Sequence, residues 1–151
     1  MLKHSVPNEH LTQIGDITVS FALLELKIKL LTWSLISRNQ KIGQIITAEM
    51  SFKNVRALLI SIYLENYGQG EKFQELKRLM TLASSIEERR NQITHSVWAA
   101  GKDINHITRI KTTAKESKGL QYKFEEVSID YLKEFSTEIK QVAESIQDFK
   151  F

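Results

Sequence analysis

From Ile14 to Leu35, apolar residues return at alternating steps of three and four: Ile14, Ile17, Phe21, Leu24, Ile28, Leu31 and Leu35. At about 100° of rotation per residue, that rhythm draws one stripe down a helix and requires other helices to cover it. A second seam, through Val19, Leu23, Leu26, Leu30 and Trp33, lies most of the way round from the first. A helix apolar on two sides needs two partners, so it is central in a bundle or forms a subunit interface. Nothing downstream of Pro7 interrupts it, because Pro7 is the single proline of the 151-residue chain. With six glycines as well, the chain lacks the turn residues of an all-β sandwich. The helix is predicted from Asn8 or Glu9 to about Ser37.

Arg38 to Gln44 reads as a polar, glycine-containing loop. A second helix is predicted from Thr47 or Ser51 to about Tyr67, with Phe52, Val55, Leu59 and Ile62 inward. It stops at Tyr67-Gly68-Gln69-Gly70, where glycine suits a helix end. A third, over about Glu71 to His95, carries Leu76, Leu79, Ala83, Ile86, Ile93 and Val97. The position that completes its rhythm between Ile86 and Ile93 is Arg90, a guanidinium on an apolar stripe. An unpaired buried charge is costly, and Glu25, bordering the inner stripe of the first helix, is the candidate structural partner.

After Gly101 the period changes to two. Ile104 to Lys111 and Leu120 to Val127 read as a β-hairpin, turning through Glu116-Ser117-Lys118-Gly119. Ser128 can cap a last helix with Asp130 in its first turn, and Leu132, Phe135, Ile139, Val142, Ile146 and Phe149 on its inner face. The fold class expected is mainly α: an antiparallel four-helix bundle with a β-hairpin between the third and fourth helices, in one domain over residues 1–151.

Composition narrows the chemistry. There is no cysteine, which removes disulfides, zinc-thiolate sites and thiol catalysis. The other histidines, His4, His10 and His106, show no ligand-like spacing, so neither a metal site nor a cofactor is predicted. No apolar run is long enough for a membrane span. The start, MLKHSVPNEH, lacks the apolar stretch of a secretory signal, so a cytoplasmic location is expected. The net charge of +3 is too small to imply nucleic acid, but its distribution is uneven. Between Lys102 and Lys123 lie six basic residues (Lys102, Arg109, Lys111, Lys115, Lys118 and Lys123) against Asp103 and Glu116. That segment could track a phosphate backbone, or be a solvated hairpin.

The segment Glu88-Arg89-Arg90-Asn91-Gln92-Ile93-Thr94-His95-Ser96 concentrates the remaining signal. An arginine followed by a polar residue, with a histidine five places on at the end of the third helix of a small bundle, resembles the motif of the HEPN superfamily. Arg90, Asn91 and His95 match those positions. The resemblance implies metal-independent RNA cleavage by a homodimer in which the motif helices of two subunits meet. It also implies a microbial toxin–antitoxin, stress or phage-defence setting, with an antitoxin protein as a partner. Some members carry a tyrosine two places after the histidine, which a partner nucleotidyltransferase modifies; this chain has Val97 there.

The residue chemistry is compatible with that expectation. RNA supplies its own nucleophile, the 2′-hydroxyl. Histidine titrates near neutrality and can act as general base or acid. Arginine stays charged and offers a planar fork to phosphate oxygens. Asn91 would orient the phosphate or the ring, with Thr94 and Ser96 as supporting donors. Trp98 could stack on a base or cap the end of the bundle. Five residues on a helix turn through about 140°, so Arg90 and His95 do not lie side by side, whereas Asn91 and His95 do. Two-fold symmetry could bring both pairs into one cleft. The alternatives are a non-catalytic HEPN-like module that binds RNA or protein, and a plain bundle in which Arg90 and His95 serve packing.

Overall fold

In the computed structural model, which describes residues 3–151, the chain is mainly helical and carries one small antiparallel sheet. Among the described residues the order is α1 (Asn8–Ile36), α2 (Gln40–Thr47), α3 (Phe52–Tyr67), α4 (Glu71–Thr94), β1 (Val97–Ala100), β2 (His106–Lys115), β3 (Gly119–Ser128) and α5 (Ile129–Asp148). Four of the helices fall where the apolar rhythm puts them. Their ends follow local chemistry. Ser51 caps α3 by accepting from the Asn54 N–H at 3.2 Å, Gly68 ends it at φ 71°, and Ser128 accepts from the Tyr131 N–H at 3.1 Å.

Two expectations need correction. The stretch expected as a loop from Arg38 to Gln44 lies largely in a fifth helix, α2. Asn39 caps it by accepting from the Lys41 N–H at 3.1 Å. Gly43, read as a loop residue, is there for closeness: a Cβ would sit 2.6 Å from Cδ1 of Trp33. The Trp33 indole N–H donates to Thr47 Oγ1 at 2.8 Å, fastening α2 to the end of α1. The hairpin is the other correction. It is part of a three-stranded sheet in the order β1-β2-β3, because Val97–Ala100 pairs antiparallel with Ile107–Ile110. A strand of four residues is too short for period-two alternation to reveal.

The chain forms two compact units, each from two segments. One comprises Ser20–Glu88 and Glu138–Phe151. Its interior is aliphatic, with Leu24, Ile28, Val55, Leu59, Leu76, Ile86 and Ile139 withdrawn from solvent. One end is closed by rings around Tyr63, with centroids 6.2 Å from Phe73, 6.0 Å from Phe149 and 4.9 Å from Tyr67. Arg56 is built into this unit. It donates to Glu87 at 3.2 Å and to the Met80 carbonyl at 3.3 Å, and lies over the Phe52 ring.

The other unit comprises, of the described residues, 3–19 and Arg89–Thr137, and contains the whole sheet. Ile17, Ile93, Ile107, Val127, Leu132 and Phe135 form its interior. Ser136 donates to Asp16, and Lys133 pairs with Glu9 at 2.8 Å. His10 is wholly buried, with neither ring nitrogen hydrogen-bonded. The second seam of α1 divides: Val19, in this unit, is 70% exposed, while Trp33, in the other, is buried beneath α2.

The β2–β3 register pairs Ile107 with Val127, Arg109 with Glu125, Ile110 with Phe124 and Thr112 with Tyr122. Side chains alternate across a strand, so the sheet has two unlike faces. Trp98, Ile107, Arg109, Lys111, Lys123, Glu125 and Val127 share one. Val97, Ala99, Thr108, Ile110, Thr112, Ala114, Leu120, Tyr122, Phe124 and Glu126 share the other.

Candidate active site at the end of α4

The last turn of a helix leaves carbonyl groups without intrahelical partners. Here side chains from the following residues satisfy them. The Thr94 hydroxyl donates to the Arg90 carbonyl at 3.1 Å, the Ser96 hydroxyl to that of Gln92, and the Trp98 indole N–H to that of Ile93 at 2.9 Å. Thr94 and Ser96, expected as supporting donors, and Trp98, expected to stack on a base or to cap the end of the bundle, thus close the helix end.

His95 follows directly. Its N–H still donates to the Asn91 carbonyl at 3.0 Å, continuing helical spacing for one more residue. The imidazole itself is exposed. Asn91, one turn back, is half-buried, as is Arg90, whose Nε is shielded from solvent. The site therefore joins an anchored backbone to an open imidazole. Glu25, the expected partner of Arg90, belongs to the Ser20–Glu88 unit, where Lys29 pairs with it at 3.0 Å.

The hairpin cations divide by position. Arg109 is held: its Nε donates to Glu125 Oε2 at 2.9 Å, its Nη2 to the same oxygen, and its Nη1 to the Gln92 side-chain oxygen at 3.3 Å. This bond ties the end of α4 to β2. Lys123 and Lys111 also face Glu125, at 2.8 and 3.6 Å. The Lys123 ammonium, then the Arg109 guanidinium, hold the Glu125 carboxyl down at about 2. Lys115 and Lys118 are exposed at the hairpin turn, away from α4. Lys102 is exposed, and its N–H donates to Glu126 Oε2 at 3.1 Å.

A cavity of about 580 Å³ opens beside β3, lined by Lys102, His106, Arg109, Glu125, Glu126, Val127, Ser128 and Tyr131. On its rim the His106 Nδ1 lies 2.6 Å from Asp103 Oδ1, a contact that holds the Asp103 carboxyl below its ordinary value. Lys102 and Arg109 thus reach this cavity, and Glu125 and Glu126 offset their charge. Among the described residues, no group of three or more histidine and acidic side chains is arranged to hold a metal ion.

Sequence reading missed three contributors. Gln92 orients Arg109, Glu125 gathers the cations, and Arg89 lies 4.0 Å over the Phe135 ring with its Nε 3.4 Å from the Tyr131 hydroxyl. Glu125 was accessible in principle, since extending the hairpin register from the turn places it opposite Arg109. No protein-family model, curated protein or solved structure matches the chain.

Proposed function

We propose that the chain is a HEPN-like endoribonuclease, an antiparallel helical bundle acting as a homodimer without a metal. The observation that carries this reading is the exposed His95, fixed through its backbone to Asn91 and open to a ligand at the end of α4. In the reaction, one imidazole accepts the proton of the 2′-hydroxyl. The 2′-oxygen bonds to phosphorus, the bond from phosphorus to the 5′-oxygen breaks, and a second imidazole returns a proton to the leaving oxygen. The products are a 2′,3′-cyclic phosphate and a 5′-hydroxyl. Arg90 offsets charge on the phosphoryl oxygens and Asn91 orients phosphate or ring. The exposed cations Lys102, Lys115 and Lys118 steer the RNA backbone. The setting is cytoplasmic, in a toxin–antitoxin, stress or phage-defence system, with an antitoxin protein as inhibitor.

One observation favours a second reading, a non-catalytic module that binds RNA or protein. Arg109 is already engaged by Glu125 and Gln92, and the Arg90 Nε is shielded, so both arginines have structural work. RNA cleavage in the presence of chelator separates the readings. His95→Ala and Arg90→Ala are each expected to slow cleavage by about 100-fold or more, the contribution typical of positioned acid–base and charge-stabilising groups. Cleavage unchanged in both variants overturns the site. Binding without turnover, weakened by Lys115→Glu with Lys118→Glu, supports the module.

A further inference from the structure

A strand that runs straight into a helix sets its last side chain beside the helix's first turn. Ser128 holds that place between β3 and α5, where its Oγ accepts from the Tyr131 N–H at 3.1 Å. The strand register puts His106, the first residue of β2, directly opposite Ser128. Side chains opposed in this way share a face, with Cβ atoms about 5 Å apart, a gap that a serine oxygen and an imidazole span between them. Both residues are half-buried, and both line the cavity beside β3. The His106 ring is fixed from behind. Asp103 Oδ1 lies 2.6 Å from its Nδ1 and also accepts from the Asn105 N–H at 2.9 Å. A carboxylate at Nδ1 keeps the ring proton there and leaves Nε2 as the acceptor.

The acidic groups of the cavity are already engaged. Glu126 accepts from the Thr108 hydroxyl and the Lys102 N–H, and Glu125 from Arg109. Three other groups are open. Among the described residues, the Ser128 hydroxyl proton has no acceptor, His106 Nε2 has no partner, and the Lys102 ammonium makes no ion pair. We infer that Ser128, His106 and Asp103 form an acyl-transfer site that hydrolyses small carboxylic esters. Ser128 is the nucleophile, His106 the general base and acid, and Asp103 the positioning residue; such a set is defined by chemistry and mutual placement, not by order in the chain. Ser128 Oγ bonds to the ester carbonyl carbon as His106 Nε2 accepts the hydroxyl proton. The bond from that carbon to the alcohol oxygen breaks, and the imidazolium returns the proton to the alcohol. Water then attacks the acyl-serine, gives its proton to Nε2, and releases the acid as Ser128 regains a proton. The Lys102 ammonium offsets charge on the carbonyl oxygen, and the α5 N-terminus favours negative charge at Ser128. His95 and Arg90 do not line this cavity, so the site stands independently of the ribonuclease reading.

A fluorophosphonate, which phosphonylates an activated serine with loss of fluoride, tests the site directly. Peptide mapping of the treated wild type is expected to place one adduct, on Ser128, with hydrolysis of p-nitrophenyl acetate falling in step. His106→Gln is expected to slow labelling and hydrolysis by about 100-fold or more. Asp103→Asn is expected to slow labelling by about 10-fold or more and to remove the low-field Nδ1–H proton of His106 from the NMR spectrum. Ser128→Asp keeps a good helix cap without the nucleophile, so the adduct is expected to vanish with helical circular dichroism unchanged. A wild type left unlabelled at Ser128 overturns the inference, even if it turns over ester, because exposed imidazoles elsewhere also cleave activated esters. So does labelling that survives His106→Gln. The RNA assay is read separately: failure to cleave RNA leaves this site standing, and an unlabelled Ser128 leaves the ribonuclease reading untouched.

Discussion

Tyr63 and Tyr122 are the same residue in opposite circumstances. Tyr63 is 3% exposed, ringed by Phe73, Phe149 and Tyr67, whereas Tyr122 is 60% exposed between Leu120 and Phe124 on an open sheet face. Both belong to regular apolar patterns, one with the helical period and one with the period of a strand. The helical stripe meets other helical stripes within its unit. The strand stripe stays exposed at Leu120, Tyr122 and Phe124, whereas Ile107 and Val127, on the other face of the sheet, are buried. Periodicity thus tells which residues share a face; the number of layers available decides whether that face is covered.

The sharpest way to break this contrast is to truncate both tyrosines. Tyr63→Ala is expected to cost about 3 kcal/mol or more in urea denaturation, as for other large rings lost from a core. Tyr122→Ala, measured at a dilution where only monomer is present, should stay within about 0.5 kcal/mol. Equal losses would mean that the sheet face is covered within one chain. Next in size is overpacking on the closed side. Gly43→Ala forces a methyl to 2.6 Å from Trp33, and thermal melting should show a loss of about 2 kcal/mol.

His10 sharpens the comparison from the other direction. It is a buried polar fault of the sheet-bearing unit, with two ring nitrogens sealed away and no hydrogen bond. His10→Leu is expected to raise stability by about 1 kcal/mol in chemical denaturation. The smallest effect belongs to Glu125. Its carboxyl sits at about 2 rather than the ordinary 4.5 when folded. The stability it contributes is present above pH 4.5 and is lost as pH falls toward 2. Glu125→Gln should therefore differ from wild type by under about 1 kcal/mol at neutral pH, since the site is partly solvated. The difference should shrink to nothing by the acid end of a denaturation series.

The helices were legible because α1, α3, α4 and α5 each hold several apolar repeats. Their rhythm survives single exceptions such as Arg90. α2 was not legible, because its pattern is inverted: Ile42, Ile45 and Ile46 face solvent while Gly43 and Thr47 are buried against Trp33. No rule that seeks apolar residues inside can find a helix docked by its glycine. β1 escaped because its pairing depends on β2, which lies beyond an intervening loop. At the candidate site, the spacing from Arg90 to His95 was readable, and so was the angular separation between them. The role of Thr94, Ser96 and Trp98 was not, since donation to the last carbonyls of a helix depends on where the chain turns next. The cluster on Glu125 needed the strand register, which sets Arg109, Lys111 and Lys123 around it across or along the hairpin.

The two tryptophans of the chain fall one to each unit, Trp33 beneath α2 and Trp98 at the close of α4. Each unit therefore carries its own intrinsic fluorophore. Exchanging either indole for phenylalanine leaves light from a single region, so loss of order in the helical unit and in the sheet-bearing unit can be timed separately. Coincident curves would mark one cooperative transition, and divergent ones would identify which half of the molecule lets go first.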